Sequence, residues 1–468
     1  MSCDKLSLQT KHYTVKPSLP KGTRDFTPVE MTRRNRILDS IQKVFRLHGY
    51  SQIETPAMEN LTTLTGKYGD EGDQLLYKVL NSRIHESGKK NEMLDDFKRA
   101  LEKNTNSELL TERALRYDLT VPFARFVVMH QNEIQFPFKR YQIQPVWRAD
   151  RPQKGRYREF VQCDADVIGS TSLLNEAELV EMTRAVFSSL GLAVTIKINN
   201  RKILAGLADT VGAKDKLIDL TVAMDKIDKI GHEQVVAELV AKGLSNDSIE
   251  RLKPVFDFKF ESVDKTLEFL SKLLENSEIG TKGVMEVQQV LNHCGTENIE
   301  LDITLARGLN YYTGAIFEVK SNEAQIGSIA GGGRYDDLTG VFGLSGVSGV
   351  GISFGIDRIY DVMEECHKWD DGLNSKDSTR VLFVNFGEAE SSYCMKAARK
   401  LRESGINSEV YPDTVKMKKQ MSYADDKQIP YVVLAGSEEI ATGQLTLRNM
   451  VTGEQQKLNL EEIIKQMQ

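Results

Sequence analysis

The sequence contains little cysteine and no long apolar run, and each shortage excludes a class of protein. Only five of its 468 residues are cysteines, and the C-x-x-C pair of a metal or redox motif is missing. Such a set argues against a disulfide framework or a zinc ribbon and favours a reducing compartment. No stretch reaches the ~18 apolar residues that a membrane-spanning helix needs. We therefore expect a cytoplasmic protein with no membrane association. The sequence pattern also identifies no metal-ligating residues.

A strong excess of positive charge is also missing. Lysine and arginine total 61 against 67 aspartate and glutamate residues, which gives a net charge of -6 at pH 7. This balance argues against a uniformly basic nucleic-acid coat, although a local basic site is compatible with it. Residues 1–21 contain neither arginine nor the apolar core of a signal peptide. We predict a loose N-terminal tail over residues 1–19.

The chain is long enough for about three domains at roughly 150 residues each. Residues 20–366 mix strand and helix patterns and predict the main domain. Within it, residues 199–298 look mostly helical and charged, and we interpret them as an inserted helical subdomain. Residues 367–378 are polar and are predicted as a linker. Residues 379–468 alternate strand and helix patterns, which predicts a small α/β domain.

The stretch from 139 to 166 changes its pattern twice. Residues 140–147 alternate polar and apolar side chains, and residues 158–167 do so again, which predicts two strands. Pro152 and Gly155 between them indicate a turn or loop. The stretch is therefore interpreted as a hairpin with a long basic loop.

The side chains of this hairpin suit a ligand. Gln162, Asp164 and Asp166 share one strand face, because strand side chains repeat every two residues. Arg148 lies at the end of the first strand, where its planar fork could pair two phosphate oxygens at once. A hairpin with a solvated polar face explains the same residues, so the pattern leaves both interpretations open.

A second candidate segment covers residues 113–125. Pro122 suits the first turn of a helix, with Asp118 and Thr120 just before it. Either side chain could simply cap that helix. Alternatively, the carboxylate and the hydroxyl bind the ammonium group of a ligand.

Two apolar stretches flank a polar centre between residues 301 and 319. Arg307, Tyr311 and Tyr312 lie in or beside that centre. Tyrosine offers a flat surface and a hydroxyl together. A plain hairpin explains the tyrosines but explains the arginine poorly. The three consecutive glycines of residues 330–336 then allow close backbone approach to a ligand.

Residues 346–360 alternate glycine with apolar side chains and lead into a helix that carries Arg358. The glycines of such a strand allow another surface to pack closely against it. A buried arginine needs an anionic partner, which could be a ligand or a carboxylate of the protein itself. The sequence leaves both partners open.

Taken together, these segments resemble the histidyl-tRNA synthetase family. The resemblance runs from about Pro20 to the C-terminus, and Arg-Gly-Leu-Asn-Tyr-Tyr-Thr-Gly at 307–314 is specific to that family. The hairpin and the Arg358 segment are signatures of class II synthetases generally. The resemblance implies an α+β catalytic domain with an antiparallel sheet and a helical insertion, followed by a small α/β anticodon-binding domain. It also implies a homodimer whose interface includes the segment around Pro56.

The resemblance further implies a two-step ligation, in which histidine is activated with ATP and then transferred to the 3' end of its cognate tRNA. Mg²⁺ would accompany the leaving pyrophosphate. Asp118, Thr120 and Gln162, together with Leu119, resemble the residues around the histidine ammonium group. Asp166 and Tyr312 resemble those that read the imidazole ring, with Tyr311 beside them.

The phosphate-binding residues follow from the same resemblance. Arg148 resembles the arginine that grips the α-phosphate of ATP, and Arg307 the one that bridges this phosphate and the histidine carboxylate. These two are the candidate catalytic residues. Arg358 resembles the arginine at the γ-phosphate end, and Asp150 and Arg156 lie where the hairpin loop would meet ATP.

Four positions depart from the family pattern. Asp150 stands where class II hairpins usually carry glutamate, and Asn310 where many members have aspartate. Asp118 and Asp166 replace glutamates of many bacterial members, which indicates a branch closer to the eukaryotic type. The alternative function is a non-catalytic paralogue that binds histidine or tRNA and regulates another protein. A paralogue of that kind is expected to lose phosphate-gripping arginines, whereas this chain keeps them.

Overall fold

The computed structural model describes residues 16–65, 74–103, 107, 109–153, 155–306, 312–369 and 379–468. The chain divides into two compact units, Met1–Trp369 and Asp370–Gln468, which are described separately. Most of the predicted tail and linker lie outside the described residues. Among the described helices, none combines the length and apolar character required to cross a membrane.

The first unit contains strands, α-helices and short 3-10 turns. Its strands are β1 (Ser51–Gln52), β2 (Met58–Asn60), β3 (Tyr77–Val79), β4 (Arg113–Leu115), β5 (Phe138–Trp147), β6 (Glu159–Ile168), β7 (Val194–Asn200), β8 (Ile299–Leu301), β9 (Ala315–Ser321), β10 (Ala330–Tyr335) and β11 (Gly349–Gly355). Its α-helices are α1 (Pro28–Leu47), α2 (Leu61–Leu64), α3 (Lys90–Lys103), α4 (Thr120–Met129), α5 (Leu174–Ser189), α6 (Arg201–Thr210), α7 (Leu217–Met224), α8 (Ile227–Ile230), α9 (His232–Ala241), α10 (Asn246–Asp257), α11 (Val263–Leu273), α12 (Glu278–Cys294) and α13 (Ile356–Glu365).

The large sheet of this unit has eight strands in the order β1-β5-β6-β11-β10-β9-β7-β8. Its six inner strands pair antiparallel, and β1 and β8 add parallel strands at the two edges. The predicted hairpin is confirmed, with Phe138 opposite Ile168 and Trp147 opposite Glu159. A hairpin between the two stretches of residues 301–319 is wrong, because β7 separates β8 from β9. The predicted antiparallel α+β architecture is confirmed for the inner sheet.

Helix α1 packs on this sheet, and its sequence defines where it begins. Pro28 occupies the first turn, and Thr27 and Glu30 form a reciprocal capping box. The buried side chains Ile41 and Phe45 then join the main hydrophobic core. Asp357 at the start of α13 accepts hydrogen bonds from Arg24 and from Arg34 of α1. This shared carboxylate holds α13, and with it Arg358, against the sheet.

Two segments extend the sheet domain. The predicted helical insertion is present as the run of helices from α6 to α12. A separate three-stranded antiparallel sheet, ordered β2-β4-β3, lies before α4. The predicted helix near residues 93–101 is longer than expected and forms α3, with Leu94, Phe97 and Leu101 exposed.

The second unit confirms the predicted alternation of strands and helices. Its sheet has the order β13-β12-β14-β15-β16, parallel through its first three strands and antiparallel through its last three. Its core clusters contain only its own residues. The elements are β12 (Val381–Phe383), α14 (Glu388–Glu403), β13 (Ser408–Val410), α15 (Met417–Asp426), β14 (Tyr431–Leu434), α16 (Ser437–Thr442), β15 (Leu445–Asn449), β16 (Gln455–Leu458) and α17 (Leu460–Met467).

Replacing Gly332 of β10 by alanine is expected to lower the free energy of unfolding by about 1–3 kcal/mol. An added Cβ would overlap the carbonyl oxygen of Gly351 and come within 2.7 Å of the Ile352 Cα. Gly355→Ala is the matched control in the same sheet, because its Cβ would meet only an oxygen of Ile329 at 3.6 Å. Chemical denaturation measures both variants, and equal stabilities would contradict this account.

Candidate active site

The inner strands β6, β10 and β11 form the floor of a cavity of about 200 Å³. Its walls come from the segment before α4 and from the end of β5. The lining residues are Leu75, Tyr117, Asp118, Thr120, Arg148, Gln162, Asp164, Asp166, Tyr312, Gly331, Gly332, Gly333, Tyr335, Gly351, Ile352 and Ser353. Because regular strands supply most of this surface, the side chains are held by the ladder hydrogen bonds beneath them.

Six of the sequence-predicted site residues meet in this cavity. They are Asp118, Thr120, Arg148, Gln162, Asp166 and Tyr312. Leu119 is fully buried at the N-cap position of α4 and does not line the cavity. Arg307 and Tyr311 fall outside the described residues.

Three predicted phosphate-site residues lie away from the cavity lining. Arg358 donates from Nε to the Gly155 carbonyl at 2.8 Å and from Nη1 to the Ser328 carbonyl at 2.6 Å. Asp150 and Arg156 lie in the hairpin loop, with 3.8 Å between the Asp150 Oδ2 and the Arg156 Nε. Arg358 therefore ties the loop to the segment before β10, and backbone carbonyls are among its partners.

The segment before α4 supplies one wall. Asp118 is buried, and its Oδ1 accepts from the backbone N–H of Val121 at 3.3 Å. Asp118 therefore bonds to the first turn of α4 and also lines the cavity, while the N-cap residue of α4 is Leu119. Arg148 donates from Nε to the Tyr117 carbonyl at 2.9 Å, and its guanidinium carbon lies 5.1 Å from the centre of the Phe160 ring. These contacts set the plane of the Arg148 side chain at the cavity wall.

The floor contains two buried aspartates beside one buried arginine. The Asp166 Oδ2 lies 2.8 Å from the Arg140 Nη2, and the Asp166 Oδ1 accepts from the Tyr335 hydroxyl at 2.7 Å. Burial raises the pKa of Asp166, although Arg140 and the Tyr335 hydrogen bond lower it. Burial also raises the pKa of Asp164 to about 7, against the lowering effect of Arg140. A raised carboxyl pKa in a cleft is typical of a functional site.

Comparison with known proteins identifies the family. A family model described as histidyl-tRNA synthetase matches residues 22–93 and 87–359, and an anticodon-binding domain model matches residues 380–468. The chain belongs to the histidyl-tRNA synthetase family. The family's anticodon-binding domain thus corresponds to the small second unit.

Two relatives show how far this family likeness extends. A histidine–tRNA ligase of Phocaeicola vulgatus is 57% identical over 455 residues, which cover 96% of this chain and 98% of the relative. A histidine–tRNA ligase of Bacteroides fragilis is 55% identical over 455 residues, with the same coverage of 96% and 98%. The likeness therefore includes both units.

Solved structures of the family share the fold. The histidyl-tRNA synthetase of Nostoc sp. PCC 7120 superposes with a TM-score of 0.79 at 29% identity and covers 97% of this chain and 99% of its own. A Bacillus halodurans protein described as an ATP phosphoribosyltransferase regulatory subunit/histidyl-tRNA synthetase reaches a TM-score of 0.69 at 22% identity. It covers 87% of this chain and 97% of its own, and at that identity it shows the fold alone.

Sequence reasoning missed three contributors to this family site. Asp164 was placed on the correct strand face but was not chosen as a site residue, although the two-residue repeat already grouped it with Gln162 and Asp166. Tyr335 lies within the stretch of residues 330–336, where only the glycines carry a predicted role. Arg140, fully buried behind the floor, pairs in register with Asp166 across β5 and β6. Only the register of the hairpin reveals that pairing.

The glycines of the site serve a second purpose that the sequence did not indicate. A Cβ at Gly351 would overlap the Asp166 carboxylate, and one at Gly333 would lie 2.9 Å from the Tyr312 Cδ1. Ligand approach was the predicted reason for the glycines of β10, and Gly331, Gly332 and Gly333 do line the cavity. They also make room for the neighbouring side chains and for the backbone of β11.

The variant Asp164→Asn is expected to gain stability over the parent protein as pH rises. The folded pKa, about 7, lies above the ordinary aspartate value of 3.8, so the stability that this carboxyl contributes is complete below about pH 3.8 and lost as pH rises through 7. The asparagine variant cannot ionise and therefore does not lose stability in this pH range. The gain in unfolding free energy should be on the order of 2 kcal/mol larger at pH 8 than at pH 5.

Urea denaturation at the two pH values tests this, with Asp302→Asn as the control. Burial opposes ionisation of Asp302 as well, but Lys197 outweighs it and the pKa of Asp302 is lowered. The stability that Asp302 contributes is thus present at both pH values, and its variant should lose the same amount at each. A pH-independent effect of Asp164→Asn would contradict the assignment.

Proposed function

We propose that this chain activates L-histidine with ATP and transfers the histidyl group to the 3' end of its cognate tRNA. The single observation that carries the proposal is the cavity that joins acidic and amide groups on a strand floor to Arg148 at its wall. A zwitterionic amino acid needs such a pair of regions, one for its cation and one for the reacting carboxylate and phosphate. Membership of the histidyl-tRNA synthetase family supports histidine as that amino acid.

The histidine-binding roles are proposed residue by residue. Asp118, Thr120 and Gln162, with Leu119 holding the backbone between the first two, would surround the ammonium group. Asp166 and Tyr312 would read the ring, with Tyr311 beside them. An imidazole with one donor and one acceptor nitrogen can be distinguished from other side chains by hydrogen bonds that are already in place. The buried position of Asp166 between Arg140 and Tyr335 supports such placement.

The phosphate-binding roles are proposed in the same way. Arg148 would bind the α-phosphate, and Arg307 would bridge it to the histidine carboxylate. Arg358, Asp150 and Arg156 would bind ATP from the hairpin loop and the start of α13. Mg²⁺ would be held mainly by the phosphates of ATP, which suits a cation that commonly binds through one or two carboxylates and substrate oxygens. In the described part of the chain, no cluster of three or more histidine, cysteine, aspartate or glutamate side chains could hold a metal by itself.

The chemistry requires little beyond placement and charge. A histidine carboxylate oxygen attacks the α-phosphorus of ATP, the bond to the bridging oxygen of pyrophosphate breaks, and histidyl-adenylate remains. The carboxylate is already a nucleophile, so no strong general base is needed for this step. Catalysis then consists of positioning and of neutralising phosphoryl charge, which fixed arginines can supply. A terminal ribose hydroxyl of tRNA next attacks the histidyl carbonyl carbon and releases AMP.

The remaining partners are proposed from the family. The second unit would bind the anticodon region of the tRNA, and two copies of the chain would form a homodimer through the segment around Pro56. The reaction belongs to protein synthesis, so we propose a cytoplasmic location and no membrane partner. Cys163 and Cys394 are fully buried thiols, which is compatible with a reducing compartment.

The test is ATP–pyrophosphate exchange by the purified protein with each of the amino acids in turn. We expect histidine to support exchange and the other amino acids to fall at least about 100-fold below it, because placed polar groups reject side chains that cannot pair with them. Absence of exchange with any amino acid, from protein with a cooperative melting transition, would favour the regulatory paralogue instead.

A further inference from the structure

Among the described residues, Gln162 and Asp164 each present a buried side-chain oxygen that has no hydrogen-bond donor. The Asp164 side chain is only 2% exposed, and its Oδ1 has no hydrogen-bond partner in the described part of the chain. The Gln162 Oε1 is in the same condition, while the Gln162 Nε2 donates to the Ser353 hydroxyl at 2.9 Å. Both residues line the cavity from the same face of β6. Leaving a buried acceptor unpaired costs about 1–3 kcal/mol, so the floor is built to receive a donor that comes from outside the protein.

The charges around Asp164 indicate what kind of donor fits. From β5 the facing group is Arg140, from β6 it is Asp166, and from the segment before α4 it is Asp118. Ser353 of β11, directly opposite, hydrogen-bonds to the Asp164 carboxyl group and leaves its Oδ1 to be satisfied. The Tyr335 hydroxyl of β10 already donates a hydrogen bond to Asp166. Arg140 lies against Asp166 at 2.8 Å, so one guanidinium serves two buried carboxylates. A cationic donor would relieve the mutual repulsion of the carboxylates, whereas a neutral donor would satisfy only the hydrogen bond.

We propose that Asp164 is a further specificity-determining residue that binds the ammonium group of the amino-acid substrate together with Asp118 and Gln162. This inference rests on the proposed function and adds a residue that the family resemblance did not provide. Along β6, Asp164 lies between Gln162 on the ammonium side and Asp166 on the ring side. Asp118 and Asp164 both line the cavity, so both carboxylates can face one bound ligand.

A matched pair of ligands separates the ammonium group from the ring. L-Histidine and L-β-imidazolyl-lactate carry the same ring and carboxylate, but the second has a hydroxyl in place of the ammonium group. We expect Asp164→Asn to weaken histidine binding about 10- to 100-fold by calorimetry and to change imidazolyl-lactate binding by less than about threefold. Asparagine keeps the shape of the side chain, removes its charge and replaces one acceptor oxygen by an amide donor.

The controls identify a merely structural effect. Asp219→Asn changes a carboxylate on α7 that pairs with Lys242 at 3.1 Å and lies outside the cavity lining, and it should leave both ligands unaffected. If Asp164 acts on the ring, or only on the fold, Asp164→Asn should weaken both ligands by the same factor. Either an equal loss or no loss for histidine would overturn the proposal.

A measurement on the parent protein tests the proposal without any substitution. Because the pKa of Asp164 is about 7, the carboxyl is about half protonated at pH 7 before the ligand binds. A bound ammonium group would favour the ionised carboxyl, so calorimetry across buffers of different ionisation enthalpy should show more protons released from the protein by histidine than by imidazolyl-lactate, once the protons lost by each ligand's own ring have been measured separately and subtracted. Equal release by the two ligands would contradict the assignment.

Failure of the proposed function and failure of the role of Asp164 give different experimental results. If the parent protein supports no exchange with histidine and does not bind it, the proposed function is wrong. If the parent protein binds and activates histidine while Asp164→Asn behaves like the parent protein toward both ligands, only the role of Asp164 is wrong.

Discussion

Arg148→Ala is expected to lower the rate of histidine-dependent ATP–pyrophosphate exchange by about 100- to 1,000-fold. The Arg148 side chain stands at the cavity wall, held by the Tyr117 carbonyl at 2.9 Å and against the Phe160 ring. Its position suits a guanidinium that stabilises charge on the phosphoryl group as the carboxylate attacks. The loss should appear mainly in kcat, because the charge develops in the transition state.

Two further variants sharpen this prediction. Arg148→Lys keeps the charge but loses the planar fork, so its exchange rate should fall between the parent protein and Arg148→Ala. Arg251→Ala removes an exposed arginine that pairs with Asp247 in the helical insertion and should leave exchange unchanged. Circular dichroism and melting temperature show whether Arg148→Ala is folded. A folded Arg148→Ala protein with near-normal exchange would exclude Arg148 from the chemistry.

Removal of residues 379–468 is expected to separate the two half-reactions. Histidine-dependent exchange should stay within about threefold of the full chain, while aminoacylation of tRNA should fall by at least about 1,000-fold. The reason is that the cavity lies wholly within the first unit and the second unit has its own core. If the deleted unit binds the anticodon region, its contacts contribute several kcal/mol to tRNA binding, and each 1.4 kcal/mol is tenfold in affinity.

The matched experiment measures both steps on the same preparation and includes a melting curve for the truncated chain. A cooperative transition with intact exchange and lost charging would support the proposed division of labour. An equal loss of both steps in folded protein would mean that the second unit is needed for the first reaction.

Much of the fold could be predicted because its signals are local. The two-residue repeat predicts β5 and β6, and the alternation after residue 379 predicts the strands and helices of the second unit. The pairing of the strands on either side of the polar centre of residues 301–319 was harder to predict. Sequence proximity suggested that its flanking strands pair with each other, whereas both pair with β7, which lies about a hundred residues earlier. Pairing between distant segments has no local signal.

Several residues of the site could be predicted from the sequence, but their pairing and their burial could not. Gln162 and Asp166 could be chosen from a strand face and a resemblance. The position of Arg140 directly opposite Asp166 depends on the hairpin register, and a slip of one residue would place it on the other face. The raised pKa of Asp164 depends in turn on burial, which no spacing of residues encodes. Electrostatics of this kind follows from packing between strands, and therefore appears only in three dimensions.

The close approach of β10 and β11 also bears on how the substrate range of this protein could be changed. Side chains added at Gly351 or Gly333 would displace Asp166 or Tyr312 before they met any ligand. Laboratory evolution toward a larger or differently shaped amino acid is therefore blocked at the floor of the cavity. Accepted changes should accumulate in the wall around Leu75 and Thr120, where replacements do not have to fit between paired strands.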